Sequence, residues 1–147
     1  MQFSNLSGAH ITKDTTARFT FDSLPGSPWV QVKMGGELNK PYFSEVWNAN
    51  AKNRKKLARG KLDPEMLRRN RELDRKLFPK YIDGGEWGGW EDTDGLNVPY
   101  TPDGFRELIE QLPDDLFDEL RAFCGEPENF RSVEVPDEED FEDTLGN

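Results

Sequence analysis

A side-chain nucleophile needs a base beside it, and here the two residues best suited to that pairing, Cys124 and His10, each occur once. His10 stands in a polar N-terminal stretch, whereas Cys124 closes an amphipathic helical period, where a cysteine serves as a small buried hydrophobe. One cysteine and one histidine supply neither a disulfide nor a Cys/His zinc site. Carboxylates are plentiful between residues 83 and 119, but a general acid must be held in an apolar pocket, and most of these fall on predicted solvent faces. Asp92-Thr93-Asp94-Gly95 has the outline of a calcium loop. With Gly95 at the sixth position of such a loop, Trp90 takes the first and Thr101 the twelfth, where aspartate and a bidentate glutamate are required.

Gly84-Gly85 and Gly88-Gly89 expose backbone donors, yet no lysine follows within the loop and no helix starts against it, so neither phosphate-binding pattern is met. Their expected role is to let Trp87 and Trp90 pack closely. The basic stretch from Lys52 to Lys61, extended by Arg68, Arg69, Arg71, Arg75 and Lys76, offers contacts to phosphates. The net charge of −10 and the absence of a base-reading motif favour a solvated helical face paired with acidic neighbours. These residues therefore predict no catalytic group, metal or cofactor, and make nucleic acid an improbable partner.

The elements that would carry these residues are legible from period and punctuation. Phe19 and Phe21 alternate with polar residues over Ala17–Asp22, and Val30, Val32 and Met34 do so over Trp29–Met34, predicting two strands. The loop between them, with Pro25, Gly26 and Pro28, makes a hairpin with a long connection. Pro41 opens a helix in which Phe43, Val46 and Trp47 mark one buried face. Asp63-Pro64 opens a second, with Met66, Leu67, Leu73 and Leu77, ending near Pro79-Lys80. The glycine-rich run Tyr81–Trp90 reads as short strands or packed loops, and Asp94-Gly95 as a turn. Thr101-Pro102 starts a helix with Phe105, Leu108, Ile109 and Leu112. After Pro113, Leu116, Phe117, Leu120, Phe123 and Cys124 continue the period to Gly125, so the last two helices form a helical hairpin.

The fold class expected is α+β: an N-terminal β-hairpin packed with about four helices. Its 147 residues suit one modest core. Residues 1–16 read as a polar arm, 17–131 as a single domain and 132–147 as an acidic, disordered tail too poor in apolar groups to offset the entropy of ordering. Charge is segregated: residues 40–80 carry thirteen basic against five acidic side chains, and residues 81–147 three against twenty-one. Such blocks pair within the molecule or serve separate partners. No charged segment leads into an apolar one at the N-terminus, and no run approaches the ~18 apolar residues of a membrane span, so the cytoplasm is the expected location and no membrane contact is foreseen.

Trp29, Trp47, Trp87, Trp90, Tyr100 and Phe105 are many aromatics for so small a core, and a few are expected at an apolar partner patch. The residues assigned to that patch are Trp87, Trp90, Tyr100, Phe105, Leu108, Leu116, Phe117 and Phe123.

The run Trp90-Glu91-Asp92-Thr93-Asp94-Gly95-Leu96-Asn97-Val98-Pro99-Tyr100-Thr101-Pro102, its following helix, Glu126-Pro127-Glu128-Asn129-Phe130, and the upstream Asn39-Lys40-Pro41-Tyr42-Phe43 together resemble small tail assembly chaperones of long-tailed phages. The resemblance implies a non-enzymatic protein that binds the tape-measure protein, and tail-tube subunits with it, keeping them soluble until the tube polymerises. The basic segment and the acidic tail have no counterpart in that resemblance. Two other classes fit the same residues: a structural virion component such as a connector or tail-end protein, and an acidic inhibitor or DNA mimic acting on a host protein. A chaperone would be missing from finished virions, a virion component would bury its C-terminus against a neighbour, and a DNA mimic would lose binding steeply with salt.

Overall fold

In a computed structural model of the chain, residues 2, 3, 6, 9–54, 60 and 63–131 are described. The expected acidic tail at 132–147, much of the basic segment 52–61 and part of the arm lie outside them. The element order is β1 (Thr16–Thr20), β2 (Trp29–Lys33), α1 (Lys40–Ala49), α2 (Pro64–Tyr81), β3 (Asp83–Gly88), α3 (Pro102–Gln111) and α4 (Asp114–Cys124), with short 3-10 turns at Ala51–Asn53 and Pro127–Phe130. This is the expected α+β class: a three-stranded antiparallel sheet, order β1-β2-β3, with four α-helices among the described residues.

The hairpin forms because the alternation is real. Ala17 and Phe19 pair with Val32 and Val30 on one face, while Arg18 lies 3.7 Å over the Trp29 ring on the other. Phe21 donates its amide to Pro28 O at 2.8 Å, which extends the ladder one residue past β1 and leaves the ring buried. The third strand is where the sequence reading left strands and loops open. Two of its glycines are explained by close approach: a Cβ on Gly84 would stand 2.5 Å from the backbone oxygen of Gln31, and one on Gly88 would stand 2.6 Å from Nε1 of the Trp29 side chain. Between Val30↔Trp87 and Val32↔Asp83, the three residues Gly84, Gly85 and Glu86 face Gln31 alone, a bulge for which Gly85 supplies a φ of +84°.

Two helix starts follow the expected grammar. The Asp63 carboxylate accepts Met66 N at 2.9 Å, and the Thr101 hydroxyl accepts Gly104 N at 2.9 Å, with proline at the first helical position in each. The end of α2 differs from expectation, for the helix runs through Pro79 to Tyr81. A proline in the last turn removes only one intrahelical bond, and full burial of Phe78 and Ile82 on either side holds the turn closed.

Helix α1 also differs. Its buried residue is Tyr42; Phe43 and Val46 are half-buried and Trp47 is 50% exposed. Asn39, just before the helix, does not cap it, because its side chain donates instead to Met34 O (2.9 Å) and Tyr81 O (3.0 Å) and so ties the end of β2 to the end of α2.

The core is one cluster on one face of the sheet: Val30 and Val32, Leu77 and Phe78 from α2, Phe105 and Ile109 from α3, Leu116, Phe117, Leu120 and Cys124 from α4, with Phe21, Ile82 and Phe130. Helices α3 and α4 are consecutive, joined through Leu112 and Pro113, but α3 packs chiefly on α2 and not along α4 as the expected helical hairpin would. Among the described residues no helix is long and apolar enough to cross a membrane.

Candidate functional site

The residues expected at a partner patch separate into two groups. Phe105 and Phe117 are fully buried and Leu116 is 8% exposed, so the expectation that these three meet a partner is corrected: their helical stripes turn inward to build this chain's own core. The Phe117 ring stands edge-on to Phe78 with centroids 5.1 Å apart. Trp87, Trp90, Tyr100, Leu108 and Phe123 are half-buried and pack on the outside of that core.

Trp87, Trp90 and Tyr100 come together. The Trp87 ring lies 6.0 Å from Trp90 and 5.7 Å from Tyr100, and its Nε1 donates to Val98 O at 2.9 Å. Trp90 Nε1 donates to Trp29 O at 3.1 Å, and the Tyr100 hydroxyl donates to the Asp83 carboxylate. These polar ends are consumed internally, which fixes the rings as a platform. The segment from Trp90 to Val98 closes on itself through Val98 N→Trp90 O (2.9 Å) and Asp92 N→Leu96 O (2.9 Å), leaving Leu96 at the tip, 64% exposed. The Asp92 carboxylate accepts the amides of Asp94 (2.9 Å) and Leu96 (3.0 Å), so its role is to hold a turn. A groove of about 410 Å³ beside Trp90 is lined by Leu24, Pro25, Gly26, Pro28, Gly89 and Glu91.

The most exposed aromatic pair was not among the expected site residues. Phe43 and Trp47, one turn apart on α1, stack at 6.0 Å with rings 27° from parallel, and Leu38, in the turn that precedes the helix, is 48% exposed. With Glu37, Ser44 and Asn48 the two rings line a groove of about 350 Å³, and the Arg54 guanidinium lies 4.3 Å over the Trp47 ring. Their four-residue spacing reads as a core stripe. The available signal was Tyr42 with Val46, an equally spaced alternative whose hydroxyl needs a buried acceptor.

That acceptor is Asp74, and it anchors a polar network across α1, α2 and α4. Tyr42 OH donates to Asp74 Oδ1 at 2.6 Å and Arg121 Nε donates to Oδ2 at 2.7 Å; Arg121 and Arg71 both reach Asp118, at 3.0 and 2.7 Å. Arg75 bonds Asp114 at 2.7 Å and also donates to the carbonyls of Ile109 (2.5 Å) and Leu112 (2.9 Å), which the end of α3 leaves without helical partners. Two basic residues of the middle, Arg71 and Arg75, thus pair with Asp114 and Asp118 of the acidic second half within the molecule.

The electrostatics of these groups suit cohesion of the fold. Hydrogen bonding to Arg71, and then to Arg121, holds the Asp118 carboxyl below the usual range, the opposite of what a general acid needs. Burial, and then the Asp74 charge, push the Cys124 thiol upward and keep it protonated. Among the described residues no three of histidine, cysteine, aspartate and glutamate converge as metal ligands would.

Burial, and then the Asp74 charge, raise the pKa of Tyr42; burial, and then the Asp83 hydrogen bond, raise that of Tyr100. A folded pKa above the unfolded one gives stability that is whole below the ordinary phenol value of 10.0 and is lost as pH climbs past it. In an alkaline titration, phenolate absorbance is expected to lag behind that of the unfolded chain, and Tyr42→Phe to shrink the lag. Tyrosines of the folded protein titrating together at the unfolded value would contradict this.

Compared with protein-family models, with curated proteins and with solved structures, the chain gives no match.

Proposed function

We propose that this chain is a protein-binding domain that shields apolar surface on its partner. The observation that carries the reading is the stacked Phe43–Trp47 pair on α1, whose rings line an open groove with Glu37, Ser44 and Asn48. Exposed aromatics at a groove supply large contact area at low entropic cost, the usual composition of a binding hot spot.

Within that class the particular reading is a tail assembly chaperone of a long-tailed phage, whose client is the tape-measure protein and, alongside it, the tail-tube subunits. The resemblance of residues 39–43, 90–102 and 126–130 supports this. So does placement: the first of these runs leads into the helix with the exposed pair, and the second forms the aromatic platform with Leu96 at its tip. An amphipathic segment of a helical tape-measure protein has the apolar stripe such a surface would cover.

The test is co-purification of the full chain with the tape-measure protein from infected cells, for the natural chain and for the double variant F43A/W47A. Loss of a hot spot worth at least ~2 kcal/mol predicts binding weaker by about thirtyfold. Thermal stability should change little, since Trp47 is half exposed. Unaltered binding by the variant removes the α1 surface from the reading, and stoichiometric copies in finished particles overturn the chaperone in favour of a virion component.

A further inference from the structure

A second groove, of about 480 Å³, lies between α2 and α3 and is lined by Glu72, Arg75, Lys76, Pro79, Lys80, Arg106 and Glu110. Arg75 is engaged by Asp114 and two carbonyls, and Arg106 by Asp103 at 3.1 Å. Lys76 and Lys80, both exposed and one helical turn apart, have no carboxylate within ion-pair distance among the described residues. Between them the Pro79 ring offers an apolar floor. Because Glu72 and Glu110 also stand on the rim, the groove is not uniformly basic, and it suits a short acidic segment with one apolar anchor placed at the lysine end.

The chain itself supplies such a segment. Beyond Arg131 it has seven carboxylates and no basic residue, with a single aromatic, Phe141, between Asp140 and Glu142-Asp143. The described chain ends at Arg131, next to Phe130 in the core. From there to Phe141 an extended chain reaches about 30 Å, more than twice the ~13 Å radius of gyration of a domain of about 100 residues. Tethering converts so short a reach into a millimolar effective concentration, enough for a weak ionic contact to be populated.

We propose that the α2–α3 groove is the docking site of this chain's own acidic C-terminal segment, with Phe141 over Pro79 and the flanking carboxylates on Lys76 and Lys80. The contact stands apart from the chaperone reading and from the α1 surface.

The experiment places a nitroxide on the full chain at Thr144→Cys; the native thiol, Cys124, is 1% exposed and so protected from labelling. Paramagnetic broadening of backbone amides is then read by NMR. The expected result is loss of signal at Lys76, Lys80 and Arg106 but not at Trp47. That loss should be reversed by K76E/K80E, which changes only exposed side chains, and by salt near 1 M, where the Debye length is ~3 Å. Phe141→Ala should weaken the broadening without altering charge. Broadening that is uniform, centred on α1, indifferent to K76E/K80E or to F141A, or present only between molecules in a mixed labelled and unlabelled sample would overturn the proposal.

Discussion

Replacing Asp74 with alanine is expected to destabilise the fold by about 3 kcal/mol, the low end of the range for removing one partner of a buried ion pair. The low end applies because Asp74 is 7% exposed while the Arg121 side chain keeps 26% of its surface in solvent. The loss comes from what is left behind: a guanidinium deprived of the acceptor at 2.7 Å and a Tyr42 hydroxyl deprived of the one at 2.6 Å, both turned toward the core. Urea denaturation of the two proteins measures the difference. Tyr42→Phe, which removes only a hydroxyl, should cost about 1 kcal/mol, so a matching loss in both variants would show that the Asp74–Arg121 contact contributes nothing.

The Phe117→Ala variant is expected to lose about 3–5 kcal/mol through lost transfer energy and the cavity left behind. Phe117 is fully buried, meets Phe78 edge-on, and has the Arg75 guanidinium 4.7 Å above its ring, so its removal strikes the α2–α4 contact from two sides. The same measurement separates two roles. Phe117→Ala should lower the denaturation midpoint, whereas F43A/W47A should leave it nearly unmoved and act on partner binding. A stable Phe117→Ala protein would mean that α4 packs on its neighbours without this ring.

Local signals made most of the fold legible. Asp63-Pro64 and Thr101-Pro102 start helices because a side-chain acceptor and a preset φ act within one turn, and the alternation of Phe19, Val30 and Val32 survives because one face must be buried. The pairing of β2 with β3 was less accessible. It joins residues on either side of α1 and α2, and its register passes through a bulge at Gln31 that hydrophobic alternation does not encode. The orientation of α1 turned on one hydroxyl: Tyr42 faces inward because Asp74, thirty-two residues later, accepts from it, and this rotates Phe43 and Trp47 outward. The same limit explains why Phe105, Leu116 and Phe117 were placed at a partner surface, since a stripe's period states that it must be covered and not by what.

The order of the sheet also bears on how the molecule is made. The central strand β2 finds its first neighbour across the loop of residues 21–28, but the second arrives only after residues 34–82 have been synthesised. During that interval a nascent hairpin leaves the ribosome with one row of amides and carbonyls unanswered, the kind of edge that recruits foreign strands. Because closing so long a loop is entropically costly, the late pairing is expected to be the slow event of refolding.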